Sequence, residues 1–204
     1  WSSPNGTSWT QVLSSAPWTG RTGHTSVSFD GRIWVIGGRD PWARNDVWCS
    51  EDGVIWTEKT ASAPWSPRGW HASVVFDDKI WVLGGLSDEM ENDVWYSSDG
   101  TSWSMATASA DWSPRLGLTA VAHAGKMWVI GGNPSREAVN DVWCSTDGVR
   151  WTRVTEHAGW AGREDHASVV HDGSIWVIEH EVWRSTDGVE WTQTASANPW
   201  GSVR

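Results

Sequence analysis

The chain has 204 residues, enough for one ordinary domain with little room for a second. Lys and Arg number 15 against 25 Asp and Glu, a net charge of -10 that excludes a protein relying on many phosphate contacts to hold nucleic acid. No apolar run is long enough for a membrane-spanning helix. The aromatic content sits almost entirely in one residue type, with 21 Trp against 1 Tyr and 2 Phe.

In chain order, the first predicted element is a hairpin around the Ser3-Pro4-Asn5-Gly6 turn, flanked by Trp1 and Trp9. Asn45-Asp46-Val47-Trp48 then recurs as Asn92-Asp93-Val94-Trp95 and Asn140-Asp141-Val142-Trp143, and in weakened form as Glu181-Val182-Trp183. Counted from Trp1, the spacings are 47, 47, 48 and 40 residues. Such a period marks a repeat architecture. The repeat divides the chain into units 1-47, 48-94, 95-142 and 143-182, with a partial unit 183-204.

Each unit reads as four short strands. Strand a is exemplified by Ala72 to Phe76, strand b by Ile80 to Leu83, strand c by Asp93 to Ser97, and strand d starts around Trp103. Dipeptides such as Asp30-Gly31 between a and b are hairpin signals. Strand b is expected to end in a glycine pair: Gly37-Gly38, Gly84-Gly85 or Gly131-Gly132. The c–d turn is Ser-x-Asp-Gly at Ser50, Ser97, Ser145 and Ser185, with the glycine expected in the left-handed region of a three-residue loop. That register sets Trp48 opposite Trp56, Trp95 opposite Trp103 and Trp143 opposite Trp151, as structural cross-strand pairs. Cys49 and Cys144 occupy equivalent places in separate repeats, too far apart for a disulfide, and are read as small thiols. They leave the compartment open, with an extracellular or cell-surface location favoured.

A strand ending in Gly-Gly, then Asn-Asp-Val-Trp, a later Trp, and an Arg opening the next strand resembles the kelch repeat over nearly the whole chain. The resemblance implies an all-β fold, a kelch-like β-propeller of four-stranded antiparallel blades. About four and a half blades are expected, since there are four a–b pairs but five c–d hairpins. Kelch rings generally carry more blades than this, so the chain is expected to be part of a longer propeller; closure as a small ring or through another chain are the alternatives. Open ends would expose strand edges and invite self-association.

Antiparallel strands place the long b–c and d–a loops on one face, the expected binding face. There the d–a loops set Arg21, Arg68, Arg115 and Arg163 just before the inner strand, and His24, His71 and His166 follow three residues later, with Leu118 breaking the set. The arginines either hold loop carbonyls or form a cationic collar for carboxylates and anionic sugars; the resemblance implies that such loop arginines bind acidic peptides. Trp42, Arg44 and Trp70 break the repeat on the same face and suit stacking on a sugar or anchoring a protein.

Unit four has lost its glycine pair and most of its b–c loop, leaving Ile178-Glu179-His180-Glu181-Val182. These residues, with Glu164-Asp165-His166, lack a recognised metal-ligand spacing, and no metal or other cofactor is expected. The leading function is therefore a non-catalytic binding or scaffold propeller for a protein or glycan. A sugar mutarotase or epimerase of this architecture, with Arg163, Glu164 and His166 as its working groups, is the enzymatic alternative. A structural, assembly-forming surface protein is the third.

Overall fold

The computed structural model describes residues 1–195, and its four sheets each hold four strands joined to their neighbours in chain order. Blade 1 is β1 (Thr25–Phe29), β2 (Arg32–Arg39), β3 (Ala43–Ser50) and β4 (Thr57–Thr60). Blade 2 is β5 (Ala72–Phe76), β6 (Lys79–Leu86), β7 (Met90–Ser97) and β8 (Ser104–Thr107). Blade 3 is β9 (Thr119–His123), β10 (Lys126–Ile130), β11 (Val142–Ser145) and β12 (Thr152–Thr155), and blade 4 is β13 (Ala167–His171), β14 (Ser174–Ile178), β15 (Val182–Ser185) and β16 (Thr192–Ala195). All pairings are antiparallel. The expected extra half blade is represented by one isolated bridge, Ser2 to Thr10.

The turns follow their residue types. Asp30 and Gly31 both have positive φ, the two-residue hairpin geometry whose twist matches the flanking strands. At the c–d turns, Ser97 Oγ accepts from Gly100 N–H at 2.8 Å while Asp99 Oδ1 accepts from Thr101 and Ser102 N–H at 2.8 and 2.7 Å. This side-chain scaffold makes the turn longer than three residues. Tyr96 consequently faces Ser104, and Trp95 faces Met105 rather than Trp103. Trp48 likewise faces Glu58 and Trp143 faces Arg153, so the expected cross-strand tryptophan pairs do not form.

The tryptophans pack between chain segments instead. Each connector tryptophan meets the one at the head of the outer strand it leads to: Trp18 with Trp56, Trp65 with Trp103, Trp112 with Trp151 and Trp160 with Trp191, at centroid distances of 4.7, 5.9, 6.1 and 4.6 Å and near-perpendicular planes. Such edge-to-face pairs contribute about 0.5 to 1.5 kcal/mol each beyond buried area. The strand-b tryptophans are held by an indole N–H donated to the end of strand a, as from Trp34 to Phe29 O at 2.9 Å and from Trp81 to Phe76 O at 2.9 Å.

Three apolar cores result, each between successive blades. Trp34, Ile36 and Val47 of blade 1 close on Ile80, Val82, Trp95 and Trp103 of blade 2. The inner strands pack in the same order, β1 on β5, β5 on β9 and β9 on β13. Among the described residues no comparable packing joins β13 to β1. Cys49 and Cys144 are buried and unbridged.

Candidate functional site

Each d–a connector crosses to the next blade and is tied to the preceding b–c loop through the backbone. Arg68 N–H donates to Arg44 O at 2.9 Å and Gly38 N–H donates to Arg68 O at 2.9 Å; Arg115 and Arg163 repeat the arrangement one and two blades on. The long loops therefore share one rim, as antiparallel topology requires.

The connector arginines point inward from that rim. Arg68 is 0% exposed and Arg115 1%. Arg68 binds both carboxylate oxygens of Asp93 and donates to Gly84 O and Ser66 O, each at 3.0 Å. Arg115 does the same with Asp141, Gly131 O and Ser113 O. Arg21 pairs with Asp46 at 2.7 and 2.9 Å and donates to Gly37 O. Burial alone would raise the Asp46 carboxyl, but Arg21 and the Trp48 indole N–H outweigh it and hold it below the usual carboxylate range. These guanidiniums fasten each connector to strands b and c of the blade it enters. That geometry matches the carbonyl-holding alternative and gives their side chains occupied partners.

Arg163 is the exception. The lost loop of blade 4 removes the glycine carbonyl its siblings use, and its partners are Glu179 and Glu181 at 3.7 and 3.6 Å. Its Nη1 is buried without a hydrogen bond among the described residues. Burial lowers its pKa even though both glutamates act in the opposite direction. Glu181 takes the aspartate's structural place, accepting from Trp183 Nε1 at 2.9 Å.

The histidines separate in the same way. His71 and His166 are buried at the seams, where Nε2 meets the hydroxyl of the preceding blade's Thr25 or Thr119 at 2.9 Å in both cases. Burial first, then the charge of Arg68, pushes His71 down to about 3. Burial and Arg163 push His166 down to about 4. Both are neutral at ordinary pH. Leu118, the departure from the histidine set, faces a blade whose matching residue is Ala72 rather than threonine. Hydroxyl with imidazole and methyl with isobutyl are thus two versions of one seam contact. His24, on blade 1, is exposed, and its pKa is lowered by partial burial and Arg21.

Around the axis these residues line a cavity of about 240 Å³ shared by all four blades, including Thr25, Ser73, Thr119 and Ser168. Its lining carries hydroxyls and neutral imidazoles but no carboxylate or guanidinium. A second cleft, of about 390 Å³, opens on the rim between blades 1 and 2 and is lined by Gly20, Arg21, Thr22, Arg39, Asp40, Pro41 and Trp70. The Arg39 guanidinium lies 5.8 Å from the Trp70 ring centroid, within cation–π range. Trp70 has φ of 54°, where the matching residues are Gly23, Gly117 and Asp165. An aromatic residue in this region is strained, and its ring covers Gly23. Trp42 stands 76% exposed on the b–c loop that follows Arg39, beside exposed Arg44.

The sequence residues consequently fall into two groups. Arg21, Arg68, Arg115, Arg163, His71 and His166 lie buried or partly buried where connectors enter the blades; Trp42, Arg44 and Trp70 are on the rim, with exposed His24 just before the inner strand of blade 1. The sequence reading ends strand b at Gly37-Gly38 and leaves Arg39 in the b–c loop without singling it out, whereas the structure carries β2 through to Arg39. Its signal was position: it opens the one b–c loop containing Asp40-Pro41-Trp42.

Four radially arranged four-stranded blades define a β-propeller. The Kelch motif matches residues 20–50, which span the arginine connector and the first three strands of blade 1. The following blades have the same architecture, so the chain is a β-propeller whose first blade carries a Kelch motif; kelch β-propellers commonly serve as protein-binding scaffolds. No curated protein matches it.

Proposed function

We propose that this chain is a non-catalytic binding module that takes an acidic protein segment or anionic glycan on its b–c and d–a rim, centred on Trp70 and Arg39 with Trp42 and Arg44 beside them. The strained Trp70 beneath Arg39 carries this reading. Unlike the buried arginines, Arg39 and Arg44 make no ion pair with a carboxylate among the described residues. An aromatic face with a cation above it suits a planar or ring-shaped ligand bearing a carboxylate or sulfate. Self-association through the unpartnered sheet faces at the two ends belongs to the same proposal.

The test uses calorimetric titration with a panel of acidic peptides and sulfated oligosaccharides. Trp70→Gly supplies the residue type that blades 1 and 3 carry at this place, so the backbone is retained while the platform is removed. Binding lost in Trp70→Gly and in Arg39→Ala, with melting unchanged, supports the site. Binding unaffected by both substitutions moves the ligand elsewhere.

A further inference from the structure

Around the axis the chemistry of the wall alternates from seam to seam. Between blades 1 and 2, His71 Nε2 meets Thr25 Oγ1 at 2.9 Å, and Thr25 Oγ1 meets Ser73 Oγ at 2.6 Å. Between blades 3 and 4 the same trio recurs as His166, Thr119 and Ser168, with His166 Nε2 at 2.9 Å from Thr119 Oγ1. The seam between blades 2 and 3 carries Ala72, Leu118 and Ala120 at the corresponding places, so all three positions change together. These residues line the axial cavity of about 240 Å³. Each of its walls is a contact between successive blades within the chain.

The two polar seams are not equally satisfied. Ser73 is bonded to Thr25, whereas Ser168 Oγ is buried without a hydrogen-bond partner among the described residues. Nδ1 of His71 and Nδ1 of His166 are likewise buried and unpartnered. A neutral imidazole carries one N–H, and on Nε2 that proton has an acceptor in the threonine oxygen. On Nδ1 it would be buried with its bond unmade, so the proton belongs on Nε2. Each threonine hydroxyl then keeps its own proton to give. Thr25 gives it to Ser73, whose hydroxyl is left as the donor at the end of the chain, and Thr119 retains its own. The cavity is therefore edged by hydroxyl donors on two sides, with Leu118 and two alanine methyls between them and no charged side chain in its lining.

We infer that the axial cavity binds one small uncharged cyclic polyol, a neutral monosaccharide or a cyclitol, with its hydroxyls on the Thr25–Ser73 and Thr119–Ser168 seams and its C–H face on Leu118, Ala72 and Ala120. Alternating polar and apolar walls match a ring whose edge bears hydroxyls and whose face bears C–H groups. An ionised ligand would meet no counter-charge in this lining and would lose its hydration uncompensated. The volume lies below the roughly 300–1,000 Å³ of sites for larger ligands, which limits the occupant to a single ring. The cavity shares no lining residue with the rim cleft at Trp70, so this site stands apart from the acidic ligand proposed there.

Saturation-transfer NMR and calorimetric titration of the full chain read the outcome, with glucose and myo-inositol as neutral probes and glucuronate as the same kind of ring bearing a carboxylate. A neutral probe is expected to bind in the millimolar range, and glucuronate about tenfold more weakly or less. Ser168→Ala removes the uncommitted hydroxyl without breaking a bond the protein makes, and should weaken the neutral probe by about two- to tenfold, the worth of one hydrogen bond. Thr119→Ala with His166→Leu turns the blade 3–4 seam into a copy of the Ala72–Leu118 seam, which already packs in this molecule, and should weaken it by about tenfold or more. Circular dichroism and melting confirm that both variants keep the blades. Trp70→Gly should leave the neutral probe bound, whatever it does to an acidic ligand on the rim, so failure of one proposal is not failure of the other. No binding of either neutral ring at millimolar concentration, glucuronate bound as tightly as glucose, affinity unchanged in both cavity variants, or binding lost in Trp70→Gly would each overturn the axial site.

Discussion

Replacing Arg68 with alanine tests the reading of the connector arginines as fasteners. The side chain is fully buried, ties the second connector to Asp93 and Gly84 O of the blade it enters, and donates to Ser66 O within the connector itself. Truncation leaves Asp93 buried with the Trp95 indole N–H at 2.7 Å as its remaining side-chain donor, and leaves the Gly84 carbonyl without the guanidinium. Removing one partner of a buried, hydrogen-bonded pair costs about 3 to 5 kcal/mol, chiefly through the charge left behind. At about 2 to 4 °C per kcal/mol for a chain of this size, the melting temperature should fall by about 6 to 20 °C. Arg163→Ala is the internal comparison. Its carboxylates lie at 3.6 and 3.7 Å and one guanidinium nitrogen is already without a partner, so its removal should cost about 1 to 2 kcal/mol. Urea and thermal unfolding followed by far-ultraviolet circular dichroism measure both. Equal losses at the two positions, or an Arg68→Ala protein that melts like the unmodified one, would refute the fastener argument and return these arginines to the ligand.

Three further outcomes follow from the same geometry. Gly100→Ala sets a methyl 2.0 Å from the edge of the Trp34 ring and adds left-handed strain, and should cost about 2 to 4 kcal/mol, whereas Gly31→Ala meets open space and should cost about 1 kcal/mol from backbone strain alone, both read by urea unfolding. His71 and His166 are neutral in the fold but protonate below pH 6.5 when unfolded, so stability should be full above pH 6.5 and decline toward pH 4, by up to about 1.4 kcal/mol per pH unit for each histidine. The paired change Thr25→Ala with His71→Leu copies the Ala72–Leu118 seam and should shallow that decline in a pH series of urea melts; an unchanged slope would remove His71 as its source. Trp70→Gly should leave stability within about 1 kcal/mol of the parent, since relief of left-handed strain offsets lost packing over Gly23, and differential scanning calorimetry would detect a larger loss.

Much of this architecture is legible in the sequence because it recurs. Strand a was read at Ala72 to Phe76 with the bounds it has, since a β-branched run before an aspartate turn has few other solutions. The glycine pair proved subtler: in blades 1 and 2 the second strand passes through it with a register shift and continues to Arg39 or Leu86. The cross-strand tryptophan pairing failed because residue spacing does not reveal that the Ser and Asp side chains lengthen the turn by taking up backbone N–H groups. The arginine and histidine positions were found, but their direction was not, because a collar and a fastener have the same periodicity. The aspartates that decide between them lie 25 or 26 residues away and are brought close only by the fold.

Regularity and function occupy different residues for a physical reason. A buried arginine meeting an aspartate, two carbonyls and a tryptophan face has its hydrogen-bonding capacity committed, and drawing it out to a ligand would leave the aspartate uncompensated. Positions that repeat in every blade are therefore poor choices for recognition, however cationic they read in the sequence. Departures from the repeat face no such penalty. Trp70 replaces a glycine where the backbone is already left-handed, Arg39 lies over its ring, and Trp42 projects from a loop whose carbonyls, not its side chains, bind the neighbouring connector. In this propeller the recurring residues hold the scaffold, and the exceptions are where its surfaces are left to meet something else.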